Sequence, residues 1–89
     1  NPALAVASEE LGVVLLQAGD TADAVAYLEA ALRDDPALVT PWFTLGRVHL
    51  AQGDAAAGLN ALARFVDEAG IRYPEEVAWA RELLAGAGR

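Results

Sequence analysis

The chain has 89 residues, 55% of them hydrophobic, and a net charge of −7, enough for one small folded domain. A chain of this size buries only about 60–65% of its unfolded surface, so its core has to be efficient. There is no Cys and no Lys, and the six Arg residues are scattered. That excludes disulfide, zinc-thiolate and thiol chemistry, and makes a poor electrostatic match to nucleic acid or to an anionic membrane. A basic partner surface remains compatible, although acidity mostly serves solubility.

Taken in chain order, the first apolar stretch is Leu11–Ala18, flanked by Glu9, Glu10 and Asp20. It falls short of the ~20 residues a membrane span requires, but Leu11, Val14 and Leu15 recur at helical spacing. Gly19-Asp20 then breaks the pattern: Gly permits a left-handed turn, and Asp can cap the next helix. Asp23 adds negative charge to that helix's first turn. The helix carries Ala24, Val25, Leu28, Ala31 and Leu32 on one face, and Asp35-Pro36 ends it. Thr40-Pro41 is the next start, a capping hydroxyl followed by a proline at the first helical position. Leu45, Val48 and His49 follow at helical spacing, Gly53-Asp54 breaks again, and Leu59, Leu62, Phe65 and Val66 form the next apolar face. The last start is Tyr73-Pro74-Glu75-Glu76, which leads into Val77, Trp79, Ala80, Leu83 and Leu84 and then a Gly-rich end at Gly86-Ala87-Gly88-Arg89.

A shift of 34 residues overlays the chain on itself without gaps. Asn1-Pro2-Ala3-Leu4 falls on Asp35-Pro36-Ala37-Leu38, Leu11-Gly12 on Leu45-Gly46, Gly19-Asp20 on Gly53-Asp54, and Leu28 on Leu62. Each unit is a helix, a tight turn and a second helix. Such a hairpin cannot bury its apolar face alone and stacks on a neighbour. The expected fold is all-α, with five helices, four loops and no strands.

These residues resemble the tetratricopeptide repeat, whose pattern is Trp-x-x-Leu-Gly-x-x-Tyr, then Ala-x-x-x-Phe-x-x-Ala, then Pro. The second unit supplies Trp42, Leu45 and Gly46, with His49 in place of Tyr; the first has Ser8 for Trp, then Leu11, Gly12 and Leu15. Ala24, Leu28, Ala31 and Pro36 complete the first unit, while the second has Gly58, Leu62 and Phe65, and Gly70 where Pro is usual. The resemblance implies antiparallel helix-turn-helix repeats stacked as a short right-handed α-solenoid. Repeat one would span about 5–38, repeat two about 39–72, and a capping helix about 73–85. Gly12, Gly46, Ala24 and Gly58 would mark close helix–helix approaches, and Trp42 and Trp79 would be buried. Asn1-Pro2 takes the place of the Asp-Pro that ends a repeat, so the chain is expected to be a fragment of a longer protein. The abundance of Ala, Arg and Gly fits a GC-rich bacterial genome, and the sequence shows no targeting segment and names no compartment.

The catalytic inventory is thin. Ser8 is the only Ser and His49 the only His, and they fall in different helices with no thiol and no carboxylate triad. One His among scattered acids has no metal-ligand spacing. Glu9-Glu10 and Glu75-Glu76 near helix starts are read as partners of the helix dipole. No Gly-rich phosphate loop occurs. No enzyme activity, cofactor or metal is expected.

What remains is binding. In this family the first helices of successive repeats line a concave groove that holds a peptide or a partner helix. Carried over, the partner-binding residues would be Glu9, Val13, Leu16 and Gln17, then Phe43, Thr44, Arg47 and Leu50, then Arg81. Phe43, Leu16 and Leu50 have an alternative use in burying a neighbouring helix. Arg47 and Arg81, 34 residues apart, could clamp a carboxylate or an acidic peptide, or pair with a nearby Glu. The subfamily that grips chaperone C-terminal tails uses Lys and Asn at positions that here hold Glu9, Val13 and Thr44, so such tails are not expected to bind. The expected partner is a protein or peptide, with no nucleic acid and no membrane insertion. Self-association or docking within a larger bacterial protein is the alternative.

Overall fold

A computed structural model describes residues 1–87. Among them are five helices and no strand: α1 (Pro2–Gln17), α2 (Thr21–Asp34), α3 (Thr40–Ala51), α4 (Ala55–Ala69) and α5 (Pro74–Ala87). The chain divides into two compact units, Asn1–Pro41 and Trp42–Arg89, and each is described by itself.

In the first unit α1 and α2 form an antiparallel hairpin. Asn1 caps α1, its side-chain oxygen accepting from the Ala3 and Leu4 N–H groups, and the helix begins at Pro2. The turn takes Gly19 at φ 89°, where the Gly19 and Asp20 N–H groups donate to the Leu16 and Leu15 carbonyls. Asp20 stands at the N-cap of α2 without a side-chain capping bond. The helices meet closely at Gly12. A Cβ placed there would lie 3.0 Å from Leu28 Cγ and 3.2 Å from the Ala24 carbonyl oxygen. At the open end, the Asn1 backbone nitrogen donates to the Asp34 carbonyl at 2.8 Å. Ala5, Ala24, Leu28 and Ala31 are fully buried, which answers to the apolar face read for α2.

The second unit repeats this geometry 34 residues on. Gly53 has φ 84°, and the Gly53 and Asp54 N–H groups donate to the Leu50 and His49 carbonyls. Here the Asp54 carboxylate does cap, accepting from the Ala57 N–H at 3.1 Å. A Cβ at Gly46 would stand 2.7 Å from Leu62 Cγ and 3.1 Å from the Gly58 carbonyl oxygen, and one at Gly58 2.7 Å from Leu50 Cγ. The repeat therefore copies a contact as well as a sequence pattern: Gly12 on Leu28 becomes Gly46 on Leu62. Phe65, at the position of Ala31 in the first unit, is buried and packs against Phe43 at 5.0 Å between ring centroids.

The units end differently. Asp35-Pro36 stops α2 after Asp34, as read. Lacking that pair, α4 runs on to Ala69 and turns through Gly70 at φ 63°. Its last carbonyls are met by a side chain, the Arg72 guanidinium donating to Ala69 at 3.2 Å and to Glu68 at 3.1 Å. Tyr73 then takes a left-handed φ of 55° and α5 begins at Pro74. It continues through Gly86 and Ala87; Gly88 and Arg89 of the predicted Gly-rich end lie outside the described residues. Val77 and Ala80 are its buried side chains.

Candidate partner-binding surfaces

On α1, Val13 and Gln17 are exposed, and Glu9 and Leu16 half-buried. On α3, Arg47 is exposed, and Phe43, Thr44 and Leu50 half-buried; on α5, Arg81 is exposed. Within the second unit Phe43 is the meeting point. Its ring lies 5.0 Å from that of Phe65 and 5.5 Å edge-on from the Trp79 indole, and the Arg47 guanidinium sits 5.6 Å over it. These geometries are favourable for ring quadrupoles and for a cation over a ring face. Phe65 in turn lies 6.1 Å from Tyr73. Leu50 sits against the space a Cβ on Gly58 would occupy. Phe43 and Leu50 thus take part in packing α3 onto its neighbours, the alternative use open to them in sequence.

Both tryptophans differ from expectation. Trp42 is half-buried, with the Arg64 guanidinium 4.9 Å over its ring. Arg64 also pairs with Glu68 at 3.0 Å, so indole, guanidinium and carboxylate form one partly solvated stack. Trp79 is 40% exposed. In α5 the buried residues are Val77 and Ala80, so Trp79 falls to the side of the helix and meets the Phe43 ring at 70°. The family pattern alone did not signal this, because Trp79 stands where the repeat places an inward Leu, as at Leu45.

The charged side chains form no reactive constellation. Among the described residues no group of three or more His, Cys, Asp or Glu is placed to hold a metal ion. A shallow open depression of about 330 Å³ at the first turn is lined by the single stretch Gly19, Asp20, Thr21, Ala22 and Asp23, with no second element converging on it. No described helix is long and apolar enough to cross a membrane.

Two helical hairpins with the same turn, the same capping position and the same glycine-on-leucine contact at a fixed offset define a helical repeat protein. The chain belongs to the tetratricopeptide repeat family, whose model matches residues 15–70. Comparison with curated proteins and with solved structures returned no match. The family is in general one of protein–protein interaction modules, and its repeats are typically non-enzymatic scaffolds.

Proposed function

We propose that this chain is a protein-interaction module, not an enzyme, and that it holds a peptide or a partner helix against the first helices of its repeats. The residues that make contact are Glu9, Val13, Leu16 and Gln17 on α1, Phe43, Thr44, Arg47 and Leu50 on α3, and Arg81 on α5. Arg47 is the observation that carries the reading. It is exposed, makes no salt bridge among the described residues, and is held over Phe43. A pre-positioned guanidinium beside an apolar surface suits a segment that brings a carboxylate next to an apolar side chain. To test this, the immobilised chain captures its partner, which is identified, purified and titrated against Arg47→Glu and Val13→Glu. Both positions are exposed, so folding is retained, and each variant is expected to weaken binding at least tenfold. Unchanged affinity in both variants refutes the assignment.

A second reading, self-association, is favoured by α1. Leu11 and Val14 are 41% and 56% exposed, whereas their counterparts Leu45 and Val48 are 3% and 8% exposed. With Leu4, also exposed, they form an apolar row on a different side of α1 from Val13 and Gln17. Sedimentation equilibrium decides: concentration-dependent mass abolished by Leu11→Glu supports this reading, and a monomer at millimolar concentration removes it.

A further inference from the structure

We propose that the outer side of α1 is a second docking surface, and that its occupant is a basic amphipathic helix of a partner protein. The surface lies on a different side of α1 from Val13 and Gln17, so it stands or falls apart from the contacts assigned above. It is the row that self-association would use, and the charge around that row favours a different occupant.

The row is regular. Leu4, Ala7, Leu11, Val14 and Ala18 follow one another at steps of three and four residues, the spacing of a coiled-coil seam. All five are exposed, Leu4 at 52%, Leu11 at 41% and Val14 at 56%. The buried residues of the helix are Ala5 and Gly12, which belong to the α1–α2 contact, so the row lies outside the hairpin core. No charged side chain interrupts it. At 1.5 Å per residue it runs for about 20 Å, long enough to seat about four turns of a second helix. Leu45 and Val48, the same positions in α3, are 3% and 8% exposed, so these are positions that the repeat is able to bury.

The charge is one-sided. Residues 1–41 hold seven acids and one Arg, whereas residues 42–89 hold six acids and five Arg. Glu10, exposed, borders the row one turn from Ala7 and from Val14. Asp20 and Asp23 follow Ala18 at the turn. Asp34 and Asp35 stand at the other end, where the Asn1 nitrogen donates to the Asp34 carbonyl. Among the described residues none of these acids is in a salt bridge, and α1 itself has no basic side chain. Two copies joined through the row would set these acids against each other with no cation on either α1, and like charges brought together at an interface oppose it. A helix with Leu, Ile or Val at the same spacing and Arg or Lys on its flanks meets both the apolar row and its acidic border.

Two synthetic helical peptides test this on the 89-residue chain. They share one apolar seam of Leu and Ala and differ only in flanks of Arg or of Glu. Fluorescence anisotropy of the labelled peptides is expected to show the Arg-flanked one binding at least tenfold more tightly. Leu11→Ser with Val14→Ser leaves the charge unchanged and should weaken it at least tenfold, with helical circular dichroism retained because both positions are exposed. Glu10→Gln should weaken the Arg-flanked peptide alone, and Arg47→Glu, on the other proposed surface, should leave its affinity within twofold. Equal affinity for the two peptides overturns the proposal. So does an Arg-flanked peptide indifferent to the Leu11 and Val14 changes, which would show attraction to net charge only. A dimer in sedimentation equilibrium that Leu11→Ser dissolves and the Arg-flanked peptide does not displace gives the row to a second copy, and overturns it as well.

Discussion

Gly46→Ala isolates the closest approach in the second hairpin. The new Cβ would stand 2.7 Å from both Leu62 Cγ and Leu62 Cδ2 and 3.1 Å from the Gly58 carbonyl oxygen. A carbon–carbon contact settles near 3.5–4.0 Å, so something has to retreat by close to an ångström. Leu62 has no solvent-exposed surface, and its branch carbon, not only a methyl tip, is in the way. Opposing this, Ala in a helix interior is favoured over Gly by about 1 kcal/mol. Overpacking costs about 1–3 kcal/mol, leaving a net destabilisation of about 1 kcal/mol. The same change at Gly12 meets Leu28 at 3.0 and 3.1 Å, a misfit of a few tenths of an ångström that the helix gain offsets, so Gly12→Ala should be close to neutral. Urea unfolding followed by helical circular dichroism measures both. Pairing Gly46→Ala with Leu62→Ala should give less destabilisation than the sum of the single changes, because the truncated side chain vacates the contested space. A Gly46→Ala variant as stable as the parent, or an additive double variant, would refute the reasoning.

The remaining predictions follow from local geometry. Asp54→Ala should destabilise by about 1 kcal/mol through loss of its N-cap bond, and Asp20→Ala by clearly less, since Asp20 makes no such bond; equal effects in urea titrations would count against this. Gly53→Ala should destabilise by about 1 kcal/mol from backbone strain alone, because nothing lies within 4 Å of the added carbon at φ +84°. A double-mutant cycle on Arg64 and Glu68, both partly solvated, should give a coupling of about 0.3–0.5 kcal/mol that fades in 1 M salt. A coupling indifferent to salt would show the pair acting through packing.

The hairpins were legible because their determinants are local and written twice. The Gly-Asp turns need a left-handed residue followed by a cap, and the 34-residue offset carries Gly12 and Leu28 onto Gly46 and Leu62. Where the second copy departs from the first, the sequence had less to say. Gly70 in place of proline did not reveal that α4 would run on to Ala69, that Arg72 would fold back onto its carbonyls, or that Trp79 would stay 40% exposed beside Phe43. These outcomes depend on long side chains finding partners through space, which no spacing rule encodes. The candidate surface shows the same division. Arg47 is exposed, whereas Phe43 has packing neighbours in α4 and α5 that its register alone did not name.

The two connections differ in kind. Asp35-Pro36 is a covalent stop, because a proline ring holds its φ and withholds its N–H in any solvent. The connection after α4 is held by hydrogen bonds from Arg72 to Ala69 and Glu68, and water or any other donor can substitute for them. The first helix stop is set by the backbone itself, and the second by a side chain folded back onto the helix it ends.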